Sequence, residues 1–340
     1  MNALLSHFMP IIALLQRYPG TVAIFAFISG VASFILVDRQ APLAKVLGVI
    51  LVLSWLWLIL ENLLRTRIKQ RFGFEIPLPA LRYVTQMIHQ ESLFFVLPFF
   101  YITTTWDSPQ LLFFALLATA ALVSIIDPLY FRWLAPRRWL LLIMHSLALF
   151  AVALTALPII FHLSTAQTYQ IALSIAMLLA LPSLPSLIQG SGWRRLAILA
   201  VVPVMLAAAG WYGRLWVPPA TLWLTEMAIS DQFNNRKRTP GTTVEEISVA
   251  DLKKKGLYAY TAINAPRGLK ERIYHEWRHN GRVIERIALD INGGREQGYR
   301  AWTHKRNFPR NPQGNWQVRV LSESGQMIGE LRFSVVEPAA

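Results

Sequence analysis

The stretch ERIYHEWRHNGRVIERIALDI, residues 271–291, alternates apolar and polar side chains on both sides of Asn280-Gly281. A period of two belongs to a strand whose two faces see different surroundings. Asn-Gly accepts the positive φ values that a two-residue type I′ turn requires. The stretch is therefore a β-hairpin, Glu271–His279 against Arg282–Ile291.

Working outward, Leu257–Ile263, Tyr299–Arg306, Asn315–Ser322 and Gln326–Val336 read as further strands, with Thr243–Val249 a candidate seventh. Glu323-Ser324-Gly325 punctuates the last pair. Six or seven short antiparallel strands over about a hundred residues predict an immunoglobulin-like β-sandwich at 242–340. Alternation places Ile273, His275, Trp277, Ile287, Leu289, Ile291, Trp316, Val318, Val320, Leu331, Phe333 and Val335 in its core. The opposite faces collect Arg272, Tyr274, Arg278, Arg286, Arg319 and Arg332. Such a face either docks phosphate or carboxylate groups through guanidinium forks, or is a solvated surface offset by Glu276, Glu285 and Glu330.

Towards the N-terminus the period changes. Apolar runs at Thr21–Val37, Lys45–Leu60, Gln86–Thr105, Gln110–Ile126, Trp139–Phe161, Tyr169–Ile188 and Leu196–Val217 approach the roughly 20 residues that a hydrocarbon core demands. They predict a polytopic helical membrane bundle of about seven spans at 1–217, preceded by an interfacial helix in place of a cleaved signal. Pro98, Pro158, Pro182, Pro185 and Pro203 interrupt spans, which membrane helices tolerate. Composition agrees, with 54% hydrophobic and only 15% charged residues. The chain has no cysteine, so neither disulfides nor thiolate metal sites arise.

Charge sets an expected orientation. With seven spans, Arg17, the group Arg65, Arg67, Lys69, Arg71 and Arg82, then Arg132, Arg137 and Arg138, and finally Arg194 and Arg195 all fall on one side. That side is cytoplasmic by the positive-inside rule, which puts the N-terminus inside and the C-terminal domain outside a bacterial plasma membrane. Trp211, Tyr212 and Trp216 mark the outer interface. Between the two parts, 218–241 reads as a short interfacial helix, ATLWLTEMAIS, followed by a polar linker. The net charge of +14 divides equally at Asp231. On the soluble side it predicts attraction to something anionic, and the placement outside the membrane excludes nucleic acid as the partner.

Candidate site residues fall in two places. In Tyr299–Arg306, Trp302 and His304 alternate with small residues and share a face with Arg300 and Arg306. Trp302 is either a core anchor or an exposed stacking platform, where an indole meets sugar rings and a flanking arginine fixes an acidic substituent. Tyr274 joins them as an outward aromatic. Inside the helical part His89, Glu91, Asp127 and His145 stand out. They mark one end of a proton or substrate path, or they sit at the interface with Asp127 paired to Arg132, Arg137 or Arg138. No spacing groups a nucleophile with a base, so no catalytic residue is assigned. His275, His279 and His304 lack the spacing of a metal site, since His275 and His279 are roughly 13 Å apart along a strand. Neither a metal nor a cofactor is expected.

The C-terminal residues also carry a resemblance. His275-x-Trp277, Asn280-Gly281, Arg300-x-Trp302, Gly314-x-Trp316-x-Val318 and Ser324-Gly325-Gln326 resemble the hallmarks of a small β domain of unknown function from bacterial envelope proteins. Joined to a multi-span half, the chain is similar to a family of proteobacterial polytopic inner-membrane proteins with a C-terminal periplasmic β domain. The resemblance implies this architecture and transfers no activity. The expected function is a membrane-anchored envelope protein whose β domain binds a cell-wall glycan, an anionic lipid or an envelope protein, besides its membrane lipids. The competing expectation is a transporter or lipid-handling protein with the β domain as a regulatory cap.

Overall fold

A computed structural model describes residues 78–180 and 192–337, with Ile28, Ala32 and Val49. The expected interfacial helix, the spans Thr21–Val37 and Lys45–Leu60 and the end of Tyr169–Ile188 lie outside the described residues. The chain forms two compact units. One comprises Met1–Tyr101, Phe114–Ala156 and Gln170–Tyr212, and the other Ile102–Phe113, Leu157–Tyr169 and Gly213–Ala340.

Helices stand where the later apolar runs were read: α1 (Leu78–Thr103), α2 (Gln110–Ile125), α3 (Arg138–Phe161), α4 (Thr165–Ala180) and α5 (Trp193–Gly213). The expectation of about seven spans is nevertheless corrected. Among the described residues two helical stretches are long and apolar enough to cross a membrane, Arg138–Phe161 and Leu196–Trp216. The others fall short for physical reasons. The first half of α1 carries Arg82, Gln86, His89, Gln90 and Glu91. At 16 residues, α2 rises only about 24 Å against a core of about 30 Å, and α4 is described to Ala180. A π-helical turn, Pro128–Leu134, follows α2 at a bend of 99°, and the pair counts as a third crossing only if taken as one broken span. Pro128 opens that turn, directly after Asp127, whose backbone is helical (φ −47°, ψ −46°). The orientation drawn from seven alternating crossings loses its basis with the count.

The second unit contains the β-sandwich. Its strands are β1 (Trp223–Ser230), β2 (Phe233–Asn234), β3 (Thr239–Pro240), β4 (Glu246–Ser248), β5 (Leu257–Asn264), β6 (Lys270–His279), β7 (Arg282–Asn292), β8 (Tyr299–Lys305), β9 (Gly314–Ser322) and β10 (Met327–Val336). One sheet is ordered β1-β5-β8 and the other β4-β10-β9-β6-β7, while β2 and β3 form a separate ribbon. Taking β1, β5 and β8 as A, B and E, and β6, β7, β9 and β10 as C, C′, F and G, this is an immunoglobulin-type strand order. Asn280 and Gly281 have φ of 48° and 81°, the two positive values of the expected turn.

The segment read as an interfacial helix is instead β1, an edge strand paired with β5 from Trp223 to Ser230. A register shift between Leu224 and Glu226 explains why its period was hidden. Before this bulge Leu224 packs on one core cluster, and after it Ile229 packs on another, so alternation changes phase within the strand. Thr225 at the bulge donates to Ala262 O or Gln297 O, 3.0 and 3.1 Å away. The residues read as a linker form the β2–β3 ribbon.

The core lies between the sheets where alternation placed it. Trp277, Trp316, Val318, Phe333 and Val335 form one buried cluster with Ile229, Leu252 and Leu257. Ile273, Ile291 and Val320 form a second with Leu222 and Ile263. Short helix α6 (Val249–Lys255) closes one end, with Ser248 Oγ capping Asp251 N at 3.1 Å and Gly256 at φ 70° after it. Turns from the helical part of the sequence belong to this unit. Gln110 Nε2 donates to Met327 O at 2.8 Å, Arg214 Nε to Ser324 O at 3.1 Å and Gln326 Nε2 to Val217 O at 2.8 Å. Glu271 accepts from Thr165 N and Oγ1 at 2.8 and 2.6 Å.

Candidate functional site

The outer face of the β1-β5-β8 sheet assembles most of the expected binding residues. Register sets Tyr258 opposite His304, Tyr260 opposite Trp302 and Ala262 opposite Arg300, so their side chains share one face. The β2–β3 ribbon lays Phe233 onto it. The result is a column of four rings: His304 on Tyr258 (3.9 Å, 8°), Tyr258 on Phe233 (5.3 Å, 22°) and Phe233 on Trp302 (4.7 Å, 29°). Trp302 is thus neither a core anchor nor an open platform. It is half-buried, closed by Phe233 and grouped with buried Tyr260.

Because ring faces are spent on one another, the column offers edges, which carry the positive part of the aromatic quadrupole. Its surroundings are basic. The Arg238 guanidinium lies 6.0 Å from the Trp302 ring. Arg300 donates to Lys237 O at 3.1 Å and to Gln297 Oε1 at 3.3 Å. His304 Nε2 bonds Lys255 O at 3.2 Å, which fixes it as the protonated nitrogen. Arg306 is exposed, just beyond the end of β8. Among the described residues Arg238, Arg300 and Arg306 make no salt bridge. Lys255 differs, pairing with Asp231 at 2.6 Å, and that hydrogen bond holds its ammonium above the ordinary range.

Tyr274 is not part of this group. It lies on the other sheet, with Arg286 4.0 Å above its ring. That face also holds outward arginines, most of them beside carboxylates: Arg272 with Asp290 at 3.0 Å, Arg278 with Glu276 at 3.5 Å, and Arg319 and Arg332 sharing Glu330 at 2.7 and 2.6 Å, while Arg286 rests on Tyr274. Burial pushes Glu330 up, but hydrogen bonds from Arg332 and Arg319 outweigh it and leave the carboxyl below its usual range. Here carboxylates from the same sheet already occupy the guanidinium forks.

The three β-domain histidines go separate ways. His275 is fully buried between the sheets, with Nε2 and Nδ1 each 3.1 Å from the hydroxyls of Thr261 and Thr303, and burial lowers it to about 4. His279 stacks on Trp316 at 4.6 Å and donates from Nε2 to Gln313 O. Among the described residues no three His, Cys, Asp or Glu side chains converge as metal ligands.

A second site lies in the helical unit. On α1, Gln86, His89 and Gln90 fall on one side by the i, i+3, i+4 rule and are all buried. His89 Nδ1 is 2.8 Å from Tyr130 Oη, and His89 Nε2 is 2.9 Å from His145 Nδ1 on α3. Gln86 Nε2 lies 2.9 Å from Ser124 O and 2.8 Å from Asp127 Oδ1, and Gln90 donates to Ser124 O. Asp127 therefore meets Gln86, and among the described residues no arginine pairs with it. Glu91 is half-buried.

Sequence reading missed Phe233, Tyr258, Arg238 and Tyr130. The pairing of Tyr258 with His304 follows from strand register, which one sequence leaves open. Phe233 sat in a stretch read as a linker. Tyr130 is presented by a π-helical turn, for which residue pattern offers no periodicity. The Asp127-Pro128 step was the available signal.

No curated protein and no solved structure matches the chain. A protein of unknown function, DUF2914, is matched at residues 270–335, from β6 to near the end of β10. The family of unknown function DUF5924 is matched over residues 1–259, more than half of the sequence, and the chain belongs to that family.

Proposed function

We propose that this is a membrane-anchored binding protein whose β-sandwich captures an acidic glycan of the bacterial envelope on the outer face of its β1-β5-β8 sheet. The observation that carries this reading is the column His304–Tyr258–Phe233–Trp302 with Arg238, Arg300 and Arg306 around it, which make no salt bridge among the described residues. Arginines spread along an elongated row of ring edges suit carboxylates repeated along an extended polymer, each fork taking one carboxylate. The matched charges of the other sheet make it the poorer anion surface.

Membrane anchoring is supported by Leu196–Trp216, 21 residues of which the most apolar stretch is not buried within the protein at all. Trp193, Leu196, Val204, Met205 and Tyr212 are exposed along it, which only lipid or another apolar surface makes tolerable. Multi-pass insertion is supported by the two candidate spans, Arg138–Phe161 and Leu196–Trp216, and an inner membrane with the β domain outside is what the family resemblance implies. The C-terminal ends of these spans, within 157–169 and from Gly213 onward, belong to the same compact unit as the sandwich.

The test is binding of the full chain in nanodiscs to an oligouronate and to its methyl ester. Binding of the acid alone supports the reading. Equal binding of both forms, or of neither, defeats it.

A further inference from the structure

The hydrogen-bonded chain in the helical unit does something the glycan reading leaves unused. Tyr130 is 1% exposed and His89 fully buried, and His89 engages both ring nitrogens. Buried polar groups cost free energy unless bonded. Within a membrane-inserted helical unit, ionisable side chains are retained mainly for function. Two further observations point the same way. Tyr130 is delivered by a π-helical turn between two α-helices, a distortion that is frequent at functional sites. Next to His89 on α1, Gln90 Oε1 is a buried acceptor without a partner among the described residues, the kind of orphan that an ordered water or a passing proton donor satisfies.

We propose that Tyr130, His89 and His145 form a proton relay. Each member both donates and accepts, so the chain has two neutral arrangements of equal hydrogen-bond count. In one, His145 Nδ1–H donates to His89 Nε2 and His89 Nδ1–H donates to the Tyr130 oxygen. A proton from water arriving at His145 Nε2 makes His145 cationic, and its Nδ1 proton passes to His89 Nε2. The His89 Nδ1 proton then passes to the Tyr130 oxygen, which releases its own proton to a water on the side away from His89. One proton enters and one leaves. The chain is left in its second arrangement, with Tyr130 donating to His89 Nδ1 and His89 Nε2–H donating to His145 Nδ1. Return of both imidazoles to the first tautomer completes a cycle.

Charged groups flank the relay in sequence. Asp127, held by Gln86, precedes the π-helical turn that presents Tyr130, and Glu91 lies two residues after His89 on α1, a spacing that turns it to another side of the helix. Arg132 on that turn and Arg137 and Arg138 at the start of α3 are exposed. The inference rests on membrane insertion and is independent of the glycan reading.

The full chain in vesicles loaded with a pH-sensitive dye, under an imposed potassium diffusion potential, tests it. Wild-type protein is expected to carry protons well above empty vesicles. Tyr130→Phe, which removes one oxygen and keeps the ring, and His89→Gln are expected to fall at least tenfold, to the empty-vesicle rate. Wild-type flux at the empty-vesicle rate, or variants that conduct like wild type, overturns the proposal. Histidine-selective nitrogen NMR gives a second check. In a relay Tyr130→Phe shifts the tautomer balance at His145 as well as at His89, whereas an unchanged His145 signal breaks the chain.

Discussion

Phe233 closes over Trp302 with ring centroids 4.7 Å apart and planes 29° from parallel. That contact ties the β2–β3 ribbon to the β1-β5-β8 sheet and decides how the aromatic column meets solvent. Phe233→Ala should uncover the indole and cost about 1–2 kcal/mol, below the range for a fully buried phenylalanine because the ring is half-exposed. Trp302 is one of several tryptophans, so quenching of emission is best read as the difference between Phe233→Ala in the native background and in Trp302→Phe. A difference of zero would mean that the stack does not form in solution.

His275 makes the sandwich sensitive to acid. Burial lowers it from 6.5 to about 4, so between these values the unfolded chain binds more protons than the folded one. Stability is then full above pH 6.5, declines as pH falls towards 4, and levels off below. The loss attributable to this group is about 3 kcal/mol. His275→Gln should remove that slope and lower stability at pH 7, since the hydroxyls of Thr261 and Thr303 lose geometry matched to an imidazole. Denaturant midpoints measured from pH 7.5 to 4 check the sign.

Glu271 and Thr165 act in the opposite sense. Burial raises the Glu271 carboxyl, although Thr165 and the backbone of Glu323 donate to it and oppose the rise. An acid raised in the fold costs stability as pH climbs from the unfolded value near 4.5 through the folded one. Glu271→Gln should flatten this segment of the pH profile. Glu271→Ala strands both Thr165 donors and should cost about 1–3 kcal/mol at every pH. Denaturation of the two variants side by side distinguishes charge from hydrogen bonding.

The boundary of the β domain gives a prediction of its own. A fragment starting at Asp231 or Thr242 lacks β1, and with it buried Leu222, Ala228 and Ile229. It also exposes the edge of β5 to other chains. Such a fragment should aggregate or show low cooperativity, while one starting at Pro218 should unfold in one transition. Equal behaviour in chemical denaturation would contradict the placement of β1.

The hairpin at Asn280-Gly281 and the core rows of β6, β7, β9 and β10 were legible because the turn residues allow one geometry and the register shifts of β6 and β10 fall near the strand ends, at Trp277/Arg278 and Met327/Gly329, outside most of the alternating run. Hallmark positions proved structural. Gly314 has φ 115°, and a Cβ there would lie 2.6 Å from Asn280 Oδ1, which accepts from Asn315 N. Gln326 reaches Val217 O. Strand β1 was not legible, because the bulge at Thr225 shifts its phase. The span count failed because apolar length was read without the polar side of α1 and the shortness of α2. Arg300, Trp302 and His304 were found from one strand, but what they do depends on Phe233 and Tyr258, supplied by pairing and by a ribbon. His89 and His145 were flagged as rare polar groups in apolar runs, and their meeting through Tyr130 is a tertiary fact.

The most direct test of the central claim compares two double variants of the full chain in nanodiscs for binding to an oligouronate at fixed salt, beside phosphatidylglycerol vesicles. Arg238→Ala with Arg300→Ala removes guanidiniums at the aromatic column that make no salt bridge among the described residues, and Arg272→Ala with Arg332→Ala removes matched ones on the other sheet. The account predicts a loss of about tenfold or more for the first pair, roughly 1.4 kcal/mol, less than about twofold for the second, and weaker capture of the vesicles. Equal losses in both variants, or capture of the vesicles with no uptake of the oligouronate, would contradict it.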